Sequence, residues 1–172
     1  MILDERSMRN NAVLDAVCSV MTAARTAPKA RGYDIVEIIA ISGDDIRRLS
    51  LAMLELHAAT GRPVYKRDGE NILNAQAIIL IGIRAQPMGL DCGHCGFKSC
   101  DTKPANVPCA VNAVDVGIAI GSAVARAADL RLDTRVMFSV GMGAARLDLL
   151  PGCTHIYGIP VSASHKNPFF DR

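Results

Sequence analysis

Tryptophan is missing from this chain, and aromatic residues make up only 4% of it, so any core must be built mainly from Ala, Ile, Val and Leu. No long lysine or arginine tract occurs. Acidic and basic residues are interspersed to a net charge of +2, which argues against a nucleic-acid or membrane partner. Met1 to Arg9 carries charges where a signal peptide would carry its apolar stretch. The longest apolar run, Ala75 to Ile83, is interrupted by Gln76 and is far too short to span a bilayer. A cytoplasmic location is the expectation. There is no Gly-x-Gly-x-x-Gly fingerprint of a nicotinamide domain, and no nucleophile motif joins His57, His155 or His165 into a hydrolytic triad.

What is present is one domain's worth of chain, residues 1–172, half of it apolar and thus able to bury a core. Val13, Leu14, Val17, Val20 and Met21 form a stripe at helical spacing over Glu5 to Ala24. Ile35 to Ile41 is β-branched and predicts a strand. Asp44 or Asp45 is placed to cap a helix running to about Ala59, which stops near Gly61 and Pro63. Ala77 to Ile83 is apolar on successive residues, as in a strand buried on both faces. A long helix rich in small residues follows over Ala110 to Leu130. In it Gly117 and Gly121, like Ala119 and Ala123, stand one turn apart, as suits a tightly packed central helix or a subunit interface. Val136, Val140, Ala144 and Leu147 continue at helical spacing, Pro151 and Gly152 close that helix, and His155 to Val161 predicts a late strand. This alternation predicts a mixed domain of helices and strands.

Residues 84–109 differ in kind. They hold four of the six cysteines, little periodicity, and several glycines and prolines. Such a segment persists in a compact domain when something organises it, and a metal centre would. Cys92 and Cys95, two residues apart, can direct both sulphurs to one centre; Gly96 lets the chain turn back to Cys100, and Cys109 closes the set. Four thiolates suit an iron–sulphur cluster or tetrahedral zinc. Three close cysteines and a more distant fourth favour a [4Fe-4S] cluster, since zinc sites often use two Cys-x-x-Cys hooks and one is present here. Pro108 suits the first turn of the following helix, whose amides would face the cluster. His94 reads as a neighbour of the site, Cys18 as a core thiol on the first helix, and Cys153 as an ordinary thiol after the Pro-Gly turn.

The run Cys92-Gly93-His94-Cys95-Gly96 through Cys100 resembles the small four-iron domain of bacterial ferredoxin-like proteins, although the step to Cys109 is shorter than in that domain. Over nearly its whole length the chain resembles the DUF2148 ferredoxin domain-containing family. The resemblance is carried by Ala23 to Ala30, Cys92 to Cys109, Asp115 to Arg135 and Lys166 to Arg172. A fainter similarity links the Ala-Ala-Arg-x-Ala-Pro segment, the small-residue helix and the Lys-Asn-Pro-Phe-Phe tail to nitroreductase-like flavoproteins. That similarity implies an α+β, three-layer domain with a central, mainly antiparallel sheet, to which the cysteine-rich loop is added. It also implies a homodimer with FMN at the subunit interface. The basic positions that match those holding the flavin phosphate are Arg6, Arg9, Arg25, Lys166 and Arg172. As residues alone, Arg6 and Arg9 equally suit a solvated helix face, and Arg25 the neutralisation of a helix carboxy terminus.

The leading expectation is therefore an iron–sulphur redox or electron-transfer protein, with electrons entering from a protein partner or a bound flavin. The alternatives are an FMN-dependent oxidoreductase with a structural or relay metal centre, and a non-enzymatic protein stapled by zinc.

Overall fold

The chain enters through α1 (Glu5–Thr26), where the Asp4 carboxylate accepts from the Ser7 amide at 3.2 Å and caps the first turn. Val13, Val17, Val20 and Ala24 recur on one face and are all buried. Lys29 ends the helix by donating from Nζ to the carbonyls of Ala24, Arg25 and Ala27 at 3.1, 2.8 and 2.6 Å. α1 packs on α4 (Ala110–Asp129), whose buried face includes Ala119, Ala123 and Ala127. Small side chains let the two backbones approach closely. Ser122 Oγ then reaches the Ala23 carbonyl at 2.8 Å, and Arg126 Nε the Ser19 hydroxyl at 3.0 Å. By length and composition α4 is apolar enough to cross a membrane; here one face lies on α1 and the sheet. The computed structural model describes residues 1–170.

Four strands form one antiparallel sheet in the order β1-β2-β4-β3: β1 (Val36–Ile41), β2 (Ala77–Arg84), β3 (Asp133–Thr134) and β4 (Cys153–Ser162). Successive β2 side chains serve opposite cores. Ile79, Ile81 and Ile83 join the cluster under α1 and α4, whereas Ile78 and Leu80 join the one under α2 (Asp44–Thr60) and α5 (Phe138–Arg146). That is why the strand reads as a continuous apolar run. Helices thus cover both faces, and the three-layer, mainly antiparallel α+β architecture expected from the resemblance is the one observed.

Three local expectations need correction. Asp44 and Asp45 do not cap α2: Gly43 holds that position at φ 58°, and the two acids lie in the first turn, paired with Arg47 and Arg48. Pro63 does not only end a helix but opens another, α3 (Pro63–Asn71), which buries Tyr65 and Gly69 against α2 and α5. On α4 the alanine pair makes the close contact. Gly117 and Gly121 face outward with open space around them.

Candidate functional site

Between β2 and α4 the chain runs from Ala85 to Cys109 without helix or strand. Its ends are tied by Asn112, on the first turns of α4, which donates from Nδ2 to the carbonyls of Arg84 and Gln86 at 3.2 and 2.9 Å. Met88 is buried in the α1–α4 core, and Arg31 holds its carbonyl at 3.0 Å. Beyond Met88 the loop bonds mostly to itself. The Asp91 carboxylate accepts from the Cys100 amide at 2.6 Å, the Gly93 carbonyl from Gly96 at 2.8 Å, and the Ser99 carbonyl from Thr102 Oγ1 at 2.9 Å. Gly93 and Gly96 take φ values of 71° and 87°, where a side chain would strain the backbone.

Cys92, Cys95, Cys100 and Cys109 all line one small cavity together with Lys103, and none is engaged in a disulfide. Among the described residues, no three His, Cys, Asp or Glu side chains stand ready as a closed metal-holding group. The loop gathers the four thiols around one space without fixing them on one point. Cys109 immediately precedes α4. Burial pushes its thiol up, but the backbone amides of Met88, Asn112 and Val111, aided by the Lys103 ammonium, outweigh burial and leave its pKa below the ordinary thiol value. Four unbridged thiols around one cavity, one of them held toward its thiolate, are a donor set that fits iron–sulphur or zinc alike. His94 is exposed beside them.

The basic residues separate into two places. Arg6 and Arg9 line an open cleft with Glu5, Arg131, Ser164 and His165; its volume is about 660 Å³. Arg9 is held there by Glu5 at 2.5 Å; Lys166 follows the cleft residue His165 in the chain, and its carbonyl accepts from Ser164 Oγ at 2.7 Å. Arg25 lies elsewhere, paired with Asp34 and donating to the Val36 carbonyl at 2.6 Å. Arg172 falls outside the described residues. Three arginines in one cleft fit an anionic phosphate, such as that of a flavin. Sequence reasoning missed Arg131 and His165. Arg131 sits at φ 60° just after α4, and no periodicity or motif marks it.

Cys18 is exposed, contrary to the core thiol expected of it, because the buried face of α1 runs through Val13, Val17, Val20 and Ala24 and leaves position 18 turned outward. Cys153 begins β4 half-buried; burial, then the Glu37 carboxylate, pushes its thiol up against a smaller opposing effect of Arg84.

The family described as uncharacterized proteins containing a ferredoxin domain (DUF2148) matches residues 105–172, a stretch that includes Cys109. An uncharacterized protein of Archaeoglobus fulgidus is 37% identical, the alignment covering 100% of this chain and 98% of that one. Among solved structures, a nitroreductase with bound FMN from Desulfitobacterium hafniense superposes with a TM-score of 0.63 at 14% identity, over 88% of this chain and 78% of that one. A nitroreductase family protein from Clostridium novyi gives 0.56 at 14% identity, over 95% and 76%. At these identities the likeness establishes a nitroreductase-like fold.

Proposed function

This chain belongs to the DUF2148 family of ferredoxin domain-containing proteins, and from that premise we propose that it is an iron–sulphur redox protein on a nitroreductase-like scaffold. Cys92, Cys95, Cys100 and Cys109 would hold a [4Fe-4S] cluster, which supplies one-electron storage and relay when bound. The observation that carries this reading is the single cavity lined by all four cysteines and Lys103. The chain's own part is to tune that site. The amides around Cys109 favour negative charge on its sulphur, Lys103 offsets that charge, and Asn112 with Met88 fastens the segment to the core.

Anaerobic purification followed by metal and sulphide analysis tests it. About four iron and four sulphide per chain, with broad visible absorption that bleaches on reduction, is the expected result. Cys95→Ser should abolish that occupancy and Cys18→Ser should spare it. Stoichiometric zinc in a colourless protein would refute the cluster, as would unchanged iron and sulphide in Cys95→Ser.

A second reading, FMN at the cleft of Arg6, Arg9 and Arg131, is favoured by the phosphate-suited arginines and would give the cluster a two-electron partner. Paired flavin absorption bands in the same spectrum support it. A homodimer belongs to this reading, and the outward α4 face carrying Val114, Gly117, Ile118 and Gly121 offers a surface for a second copy. Electrons would enter from a protein partner or the flavin, in the cytoplasm.

A further inference from the structure

The turn Ala30–Gly32, which leads from α1 toward β1, is fastened at two points. Its Ala30 amide donates to Oδ1 of Asp115 at 3.0 Å, and Asp115 lies on α4 with only 3% of its surface exposed. Arg31 follows at φ 57°, in the left-handed region that a residue with a side chain enters at a cost. Its guanidinium lies over the Tyr33 ring, 4.9 Å from the centroid, and donates from Nη1 to the Met88 carbonyl at 3.0 Å. A Cβ at the next residue, Gly89, would stand 3.4 Å from the same Nη1, so the guanidinium lies directly against this stretch of backbone.

Met88 is also a residue whose own amide donates to the Cys109 sulphur. A closed circuit results. Asp115 of α4 holds the turn, Arg31 of the turn holds Met88, and the Met88 amide meets Cys109, the residue that precedes α4. Around Cys92, Cys95 and Cys100 the hydrogen bonds stay within the loop. The charge that bears on the Cys109 sulphur is that of Lys103, and Arg31 reaches this sulphur through the backbone it holds. Hydrogen bonds to a cysteinyl sulphur favour the more negative, reduced state of a cluster and so raise its potential. We propose that Arg31 is a positioning residue for this site: by holding the Met88 carbonyl it keeps the Met88 amide on the Cys109 sulphur, and thereby raises the potential of the centre bound there. The effect on potential rests on the iron–sulphur reading of the four cysteines, whereas the clasp on Met88 does not.

Arg31→Gly tests the assignment. Glycine suits φ 57° and the position is exposed, so loss of the guanidinium does not endanger the fold. Two measurements are made on full-length protein purified anaerobically. Hydrogen–deuterium exchange, read by mass spectrometry on peptides spanning Met88, follows the clasp, and redox titration monitored by visible absorption gives the midpoint potential. In Arg31→Gly the Met88 amide should exchange at least about tenfold faster than in wild type, with β2 unchanged. The potential should fall by about a tenfold change in the reduction equilibrium, about 59 mV for one electron. Arg31→Lys keeps the charge and a donor but not the planar fork, and should lie between the two proteins in both measurements. Unaltered exchange at Met88, a lower potential without faster exchange, or faster exchange with an unaltered potential each overturns the positioning role. Iron and sulphide are measured on the same samples. If Arg31→Gly holds no iron, Arg31→Lys supplies the potential; if wild type holds none, the iron–sulphur reading fails and exchange at Met88 still decides the clasp.

Discussion

β2 and the cysteine segment are neighbours in the chain and opposites in physics. From Ala77 to Ile83 every residue is buried, and the strand is bonded on both edges. From Cys92 to Cys100 no residue is buried, and the hydrogen bonds holding the turn are to residues of the same loop. The strand derives its conformation from the apolar area it removes from water. The loop has no such source between Cys92 and Cys100 and is tied to the core by two anchors, Met88 and Asn112. The difference teaches that packing and thiols are housed separately: the sheet sets the position of Arg84, α4 sets that of Ala110, and the loop between them carries the four cysteines.

The sharpest way to break that separation is through glycines. A Cβ at Gly141 of α5 would lie 1.7 Å from the carbonyl oxygen of Ile156 and 2.4 Å from its carbon. Both are backbone atoms of β4, so relief requires moving a helix off the sheet. Gly141→Ala should lower stability by about 3 kcal/mol or more, read from the urea midpoint or from loss of soluble protein. Gly96→Ala is the counterpart in the loop. Its Cβ meets nothing within 4 Å, but φ is 87°, so the strain is local. It should reduce metal content while shifting the urea midpoint of metal-free protein little. Equal losses of midpoint in the two variants would mean that loop and scaffold unfold as one unit.

Much of the scaffold is legible in the sequence because burial there is one-sided or two-sided in a regular way. α1 follows its apolar stripe, β1 its β-branched run, β2 its unbroken apolar run and α4 its run of small residues. α3 is not legible: it is short and mostly polar, its buried residues are Tyr65, Asp68 and Gly69, and Pro63 reads equally as a stop and a start. The cysteines advertise themselves by spacing, yet the residues around them do not. Asn112 and Lys103 matter through contacts made across the loop, and Arg131 and His165 meet Arg6 only through the tertiary fold. Cys18 shows the converse. Val17 and Val20 of α1 are buried, and one position's rotation from Val17 puts Cys18 in solvent.

A smaller effect contrasts one thiol of each region. The thiolate is the nucleophile, so a lowered pKa moves alkylation to lower pH and a raised one to higher pH. In metal-free protein, Cys109 at the loop's end should react with iodoacetamide with a midpoint below the ordinary thiol value, and Cys153 on β4 with one above it. Peptide mapping by mass spectrometry across a pH series reads both at once. Coincident midpoints would show that the amides of Met88, Val111 and Asn112 do not bear on Cys109 in solution.

The smallest effect concerns the outward face of α4, where scaffold meets solvent. Gly117 is exposed in a helix interior, with nothing within 4 Å of an added Cβ. Alanine there removes backbone freedom from the unfolded chain at no steric cost, and Gly117→Ala should stabilise the monomer by about 0.5–1 kcal/mol in urea. The same methyl would intrude if a second copy packs backbone to backbone on this face. Sedimentation at rising protein concentration separates the two situations. A stability gain with no change in association describes a bare helix face; a gain in dilute solution together with weakened dimerisation describes a covered one. A midpoint that falls even in dilute solution would show that position 117 is not exposed in the monomer, and the division of α4 into a packed alanine face and an open glycine face would fail.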